Sequence, residues 1–216
     1  MEKIRLRDAV PVASGGIRDV YRHPDDPALL IKVVRLSTLD AKFGTGRPWY
    51  KLMQRRYRHL ISYLREIREH IAQHAMGSEH PYFLQRIVGL AETDLGLGLV
   101  VEAAFGRDGK LAPTVLSLLN RGPLDPYVSE KLDRFLQDVV NSTVIIADFH
   151  LNNVVYAYSR EHGDHFVLID GVGHKTLIPL ERASRHLNRW SNILKTRAFR
   201  AKVEKRMNHR LQLQTN

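Results

Sequence analysis

Apolar and polar positions along the first forty residues read as short strands separated by turns. Ile4 and Leu6 alternate with charges, a glycine pair stands at Gly15 and Gly16, and Val20 and Tyr21 lead into His23-Pro24-Asp25-Asp26-Pro27. Leu29 to Val34 then form an apolar run with Lys32 inside it, so strand, turn and strand is the expected order. A loop with Gly44, Gly46 and Pro48 precedes a helical pattern over about 49–73. Its apolar positions are Leu52, Tyr57, Leu60, Ile61, Leu64, Ile67, His70 and Ile71, at intervals of mostly three and four. Residues 83–103 predict two strands joined near Thr93-Asp94-Leu95-Gly96. The Gly/Pro-rich passage from Gly106 to Pro126 reads as a connection. Ser129 is the expected N-cap of a helix that carries Leu132, Phe135, Leu136, Val139 and Val140 on one face.

Beyond that helix lie Val144 to Ile146, the polar loop Asp148 to Asn153, a strand from Val154 to Tyr156, a turn near His162-Gly163-Asp164, and a strand from Phe166 to Ile169. Asp170-Gly171 closes it, which gives a hairpin with an acidic residue at each open end. From Pro179 the pattern is helical, with Leu180, Ala183, Leu187, Trp190, Ile193, Leu194, Phe199, Val203 and Met207 at its apolar positions.

Composition narrows the class. At 216 residues and 44% apolar content, the chain is long enough to bury roughly 70% of its unfolded surface. A single domain of two lobes, 1–103 and 104–216, is the expected organisation. The formal charge of +10 is uneven: residues 47–70 contribute +5, residues 181–216 contribute +8, and residues 71–180 are net −5. No cysteine is present, which excludes disulfides, thiolate metal sites and cysteine nucleophiles. No apolar leader or long apolar span is visible, so a cytoplasmic protein is expected. No internal repeat is visible either.

The candidate chemistry sits first in the loop and hairpin. Asp148, Asn153 five residues on, and Asp170 at a strand end can divide the work of phosphoryl transfer. One carboxylate orients a hydroxyl, while an amide oxygen and a second carboxylate hold Mg²⁺ on nucleotide phosphates. The same residues also suit ordinary turns, with Asp148 as a cap, Asn152-Asn153 in left-handed conformations and Asp170-Gly171 as a strand-end turn. The N-terminal half adds weight to the first reading. Protein kinases place a Gly-rich hairpin over the phosphates, a strand Lys against them and a helix Glu on that Lys. Ala13 to Tyr21, with Gly15, Gly16 and Val20, occupies the hairpin position. Lys32 is the strand Lys, Glu66 the helix Glu, and Glu102 ends the strand that would form the hinge. Each piece has a plain alternative, since a Lys in an apolar strand can snorkel and a helix Glu among arginines can be a solvated ion pair. Their shared order with kinases is the informative feature.

On the segments Gly15 to Pro24, Ile31-Lys32-Val33-Val34, Leu64-Arg65-Glu66-Ile67, Gly89 to Val101, Leu151 to Val155, Ile169 to Gly173 and Thr176 to Leu180, the chain resembles the PhoP regulatory network protein YrbL family of small bacterial kinase-like proteins. The resemblance implies an α+β, reduced protein-kinase-like two-lobe fold: an N-terminal antiparallel sheet with one long helix, and a small helical C-terminal lobe. With the kinase order of the residues, the expected protein is an ATP- and Mg²⁺-dependent phosphotransferase-like one, its acceptor an unidentified small molecule or protein. Lys32 and Glu66 would position the phosphates, Gly15, Gly16 and Val20 would cover the nucleotide, and Glu102 would lie at the hinge. Asp148 would orient the acceptor, while Asn153 and Asp170 would hold the metal.

Departures from the full kinase pattern keep a pseudokinase open. Ala13 and Arg18 stand where glycines would, Ile146-Ala147 replaces His-Arg, His150 stands where a Lys commonly meets the γ-phosphate, and Asp170-Gly171-Val172 lacks the usual aromatic. A rival reading takes the basic C-terminus, with Trp190 and Phe199 interleaved, as a nucleic-acid or anionic-membrane binding module. Its plain counterpart is an amphipathic helix that packs Leu187, Trp190 and Leu194 inward and turns its charges to water.

Overall fold

The computed structural model describes residues 3–35, 60–75, 79–173 and 184–214, the side chains of 210–214 excepted. Two compact units divide the chain: Met1–Ile67 with Arg86–Ala103, and Arg68–Gln85 with Ala104–Asn216. Residues 68–85 thus group with the second unit.

In the first unit the apolar run around Lys32 becomes the middle of an antiparallel sheet. Its strands are β1 (Ala13–Ser14), β2 (Arg18–Arg22), β3 (Leu29–Val34), β4 (Ile87–Thr93) and β5 (Gly96–Glu102), in the order β1-β2-β3-β5-β4. Ile31, Val33 and Val100 from its inner strands bury with Leu6 and Tyr21. β5 approaches β3 so closely that a Cβ on Gly98 would lie 2.5 Å from Ile31 Cγ2, so only glycine fits there. The expected strand around Ile4 is reduced to one bridge, Ile4 with Thr93, because Asp94 takes the amides that would extend it. Asp94 accepts from Leu6 N at 2.7 Å and Arg7 N at 3.2 Å, and the first of these bonds is the main cause that holds its carboxyl below the usual range.

Helix α1 (Ile61–Ala75) has residues in both units. The expected stretch 49–59 lies outside the described residues. Where the helix is described, its buried positions are Tyr63, Glu66, Glu69 and Gln73, while Ile71 is 58% exposed. Three- and four-residue spacing did locate the helix, but its buried stripe is largely polar.

The second unit holds α2 (Val115–Arg121), α3 (Pro126–Asn141), the hairpin of β6 (Val154–Ser159) and β7 (Gly163–Leu168), and α4 (Arg185–Gln214). The Gly106 to Pro126 passage is therefore not only connection. Thr114 accepts from Ser117 N and starts α2 within it. α3 likewise begins before Ser129: Asp125 is the cap, accepting from Val128 N at 2.9 Å, and Pro126 opens the helix, where its missing N–H costs nothing. Leu132, Phe135, Leu136 and Val139 enter one core with Phe83, Val115, Phe149, Phe166, Leu168, Phe199 and Val203.

The last helix departs most from expectation. Leu187, Trp190 and Leu194 are 46%, 63% and 45% exposed, whereas Asn188, Asn192 and Thr196 are buried. The reason lies in the segment 142–147 beside it, whose carbonyl groups at Thr143, Val144 and Ile146 are met by side chains of α4. Asn188 Nδ2 donates to Thr143 O, Asn192 Nδ2 donates to Val139 O and Val144 O, and Lys195 Nζ donates to Ile146 O. Residues before Ser184 in the expected helix, and the Thr176 to Leu180 segment, lie outside the described residues. Among the described residues no helix is long and apolar enough to cross a membrane.

Candidate active site

Lys32 sits in the middle of β3, with Val20 of β2 opposite it on one side and Leu99 of β5 on the other. The strand holds it 6% exposed, and its Nζ lies 3.5 Å from Glu66 Oε2. Glu66 is 5% exposed, so this is a desolvated pair and not a surface one. Sequence reasoning missed its third member. Arg18, treated as a residue in place of glycine, is 7% exposed and donates through a guanidinium nitrogen to Glu66 Oε1 at 2.5 Å. The two cations therefore take separate oxygens of one carboxylate. No local signal in the sequence marks Arg18 for this role, since its partner lies 48 residues away. Tyr63, one turn before Glu66, donates its hydroxyl to Lys32 O at 2.7 Å, and burial pushes this phenol up to about 12, so it stays a donor.

The Gly pair lies in the β1–β2 hairpin, where Ser14 pairs with Asp19 and Gly15 N donates to Arg18 O at 2.8 Å. A Cβ at Gly15 would meet only ordinary contact, Arg18 O at 3.5 Å, so the hairpin's own packing does not demand this glycine. Glu102 ends β5 with its side chain half exposed and 3.7 Å from Arg86.

In the second unit the loop and hairpin residues are cross-tied. Gly171 O accepts from Ala147 N at 2.7 Å and Asp148 N at 2.9 Å, Asn153 Nδ2 donates to Asp148 O at 3.1 Å, and Asn153 O accepts from Ile169 N at 2.8 Å. Asp170 Oδ1 accepts from Gly171 N at 2.6 Å. Gly171 has φ +86°, and a Cβ there would lie 2.0 Å from Asp148 O, so glycine is required twice over, by conformation and by space. The structure thus brings Asp148, Asn153 and Asp170 onto one hydrogen-bonded turn assembly. His150 is exposed, and its Nε2 lies 2.7 Å from Asp148 Oδ1.

Further polar residues unmarked in the sequence hold the approach to this loop. Glu69 Oε1 accepts from Ile145 N at 3.0 Å and from Gln73 Nε2 at 2.9 Å, and Gln73 Oε1 accepts from Thr143 at 3.0 Å. With the α4 amides they fix both backbone edges of 143–146. A cleft lined by Asn120, His150, Asn152, Lys202, Lys205 and Arg206 borders the loop. Elsewhere α4 spends charge internally: Arg200 pairs with Asp133 at 2.9 Å and with Glu204 at 3.3 Å.

A family model described as PhoP regulatory network protein YrbL matches residues 4–204. The chain belongs to the YrbL family. The proteins named "Uncharacterized protein YrbL" in Escherichia coli (strain K12) and in Shigella flexneri are each 24% identical over 188 residues, covering 84% of this chain and 79% of theirs. Among solved structures, Rad53 1-466 in complex with AMP-PNP aligns with 94% of this YrbL-family chain at a TM-score of 0.51 and 10% identity, covering 51% of its own length. The Mycobacterium tuberculosis PknI kinase domain aligns with 74% of the chain, TM-score 0.45, 16% identity and 56% of its own length. The family member therefore spans about half the length of the solved chains it matches, and its fold is protein-kinase-like.

Proposed function

We propose that this YrbL-family chain is a phosphotransferase-like protein that uses ATP and Mg²⁺. The observation that carries the reading is the joining of Asp148, Asn153 and Asp170 through the Gly171 turn, since those three side chains supply an orienting carboxylate and two hard oxygen donors on one assembly. The donor set fits the ion: Mg²⁺ takes one or two carboxylates alongside phosphate and water. With Nδ2 bonded to Asp148 O, Asn153 has Oδ1 left to meet a cation. The ion would neutralise charge on the transferred phosphoryl group.

Lys32, steadied by Glu66, would bind the nucleotide phosphates, and the hairpin around Gly15, Gly16 and Val20 would cover them, with Glu102 near the base end. Asp148 would orient the acceptor hydroxyl, and His150 would hold the Asp148 carboxylate through their 2.7 Å contact. The basic lining of the cleft next to His150 favours an anionic acceptor.

The test is a Mg²⁺-dependent thermal shift on adding ATP. Wild type should be stabilised, Lys32→Met and Asp170→Asn should lose the shift, and Asp148→Asn should keep it while turnover falls by about 10² to 10⁴. If wild type shows no nucleotide shift with Mg²⁺, the ATP reading fails. A shift without turnover in any acceptor screen would favour a pseudokinase.

A further inference from the structure

Three histidines of the second unit stand together on α1 and the segment after it. His70 and His74 are one turn apart on α1, so their rings project from the same face, and His80 comes from the segment after the helix. Each offers a ring nitrogen, and the three nitrogens lie within 4.8 Å of one another. Ring centroids are 4.6 Å apart for His70 and His74, 5.3 Å for His70 and His80, and 5.8 Å for His74 and His80. Three imidazoles on one tetrahedral Zn²⁺, with Zn–N near 2.0–2.1 Å, put their centroids about 5 Å apart. The ring centroids are therefore already near ligand spacing. His74 is exposed.

The orientation of His80 is a second, independent observation. Its Nε2 is 2.9 Å from Leu84 O, and a carbonyl accepts only, so Nε2 carries the proton. That assignment makes Nδ1 the basic nitrogen. A histidine that gives one ring N–H to a backbone carbonyl and keeps the other nitrogen basic is the usual arrangement of a metal ligand. Leu84 is itself anchored in the core, so the acceptor does not wander.

We infer that His70, His74 and His80 form a binding site for a divalent transition metal, with Zn²⁺ as the expected ion and water in the fourth position. Three neutral imidazoles without a carboxylate suit Zn²⁺, Co²⁺ or Ni²⁺ and do not suit Mg²⁺, which prefers oxygen. The site is thus chemically distinct from the oxygen donors of Asn153 and Asp170. A bound ion clamps the end of α1 to the segment that leads into Phe83 and Leu84, one turn beyond Glu66 along the same helix.

The experiment uses untagged full-length protein, without nucleotide and with Mg²⁺ in excess, titrated with Zn²⁺ by calorimetry and with Co²⁺ by visible absorption. Wild type should bind one equivalent, show the intense ligand-field bands of tetrahedral Co²⁺, and melt at a higher temperature with Zn²⁺. His74→Ala, whose exposed side chain makes misfolding unproblematic, should weaken binding at least tenfold, and His70→Ala/His74→Ala should abolish it. His162→Ala should change nothing. Absence of binding by wild type would overturn the proposal, as would a full equivalent retained in the double variant. Neither failure touches the nucleotide reading, which is scored with Mg²⁺ and ATP alone.

Discussion

Helix α3 buries Leu132, Phe135, Leu136 and Val139, while the first half of α4 buries Asn188, Asn192 and Thr196 and turns Leu187, Trp190 and Leu194 outward. Both belong to the second unit, and they are held by different physics. Hydrocarbon burial on α3 is worth about 1.5–3 kcal/mol per side chain and is tolerant of small displacements. Amide burial on α4 contributes little net energy per bond, yet each bond exists only if one named carbonyl is in one place. α3 supplies stability, and the first half of α4 supplies position. What α4 positions is the segment 143–146, directly ahead of Asp148.

Four substitutions test these two roles, in order of decreasing expected effect. Phe135→Ala removes a side chain 1% exposed from the middle of the core and should cost about 3–5 kcal/mol in urea unfolding. Asn192→Leu keeps the bulk and leaves Val139 O and Val144 O without that donor. About 1–3 kcal/mol should be lost, and amide exchange should rise across 143–148, which Phe135→Ala would not do selectively. Lys195→Met, losing the bond to Ile146 O, should cost about 1 kcal/mol and raise exchange at 146–148 in the same way. Trp190→Glu should shift stability by no more than about 0.5 kcal/mol, because its ring is 63% exposed. A large loss for Trp190→Glu, or a silent Asn192→Leu, would reverse the roles assigned to the two faces.

Helix α3 was legible because its apolar residues are buried at the spacing they show, and its start was misplaced only because Asp125-Pro126 is as good an opening as Ser129. α4 was legible as a helix but not as a surface. Hydrophobic spacing favours Leu187, Trp190 and Leu194, whereas the true inner stripe is Asn188, Asn192, Thr196, Phe199 and Val203, polar for two turns and apolar after. Amides carry no hydrophobic signal, and the carbonyls that attract them come from a segment about 45–50 residues earlier. α1 repeats the case with Glu66, Glu69 and Gln73. The members of the candidate site were nameable because Lys, Glu, Asp and Asn stand in a recognisable order. Arg18 was not, since nothing local says that an arginine after a Gly pair will turn inward to Glu66.

One consequence follows from Gly171. Its carbonyl takes the backbone amides of Ala147 and Asp148 while its own amide is held by the Asp170 carboxylate, so one residue links that carboxylate to the backbone at Asp148. Ala147 and Asp148 amide resonances are accordingly built-in reporters: a perturbation at Asp170 reaches them through one bond network, without a label placed in the site. That gives a readout of site occupancy that requires no substrate.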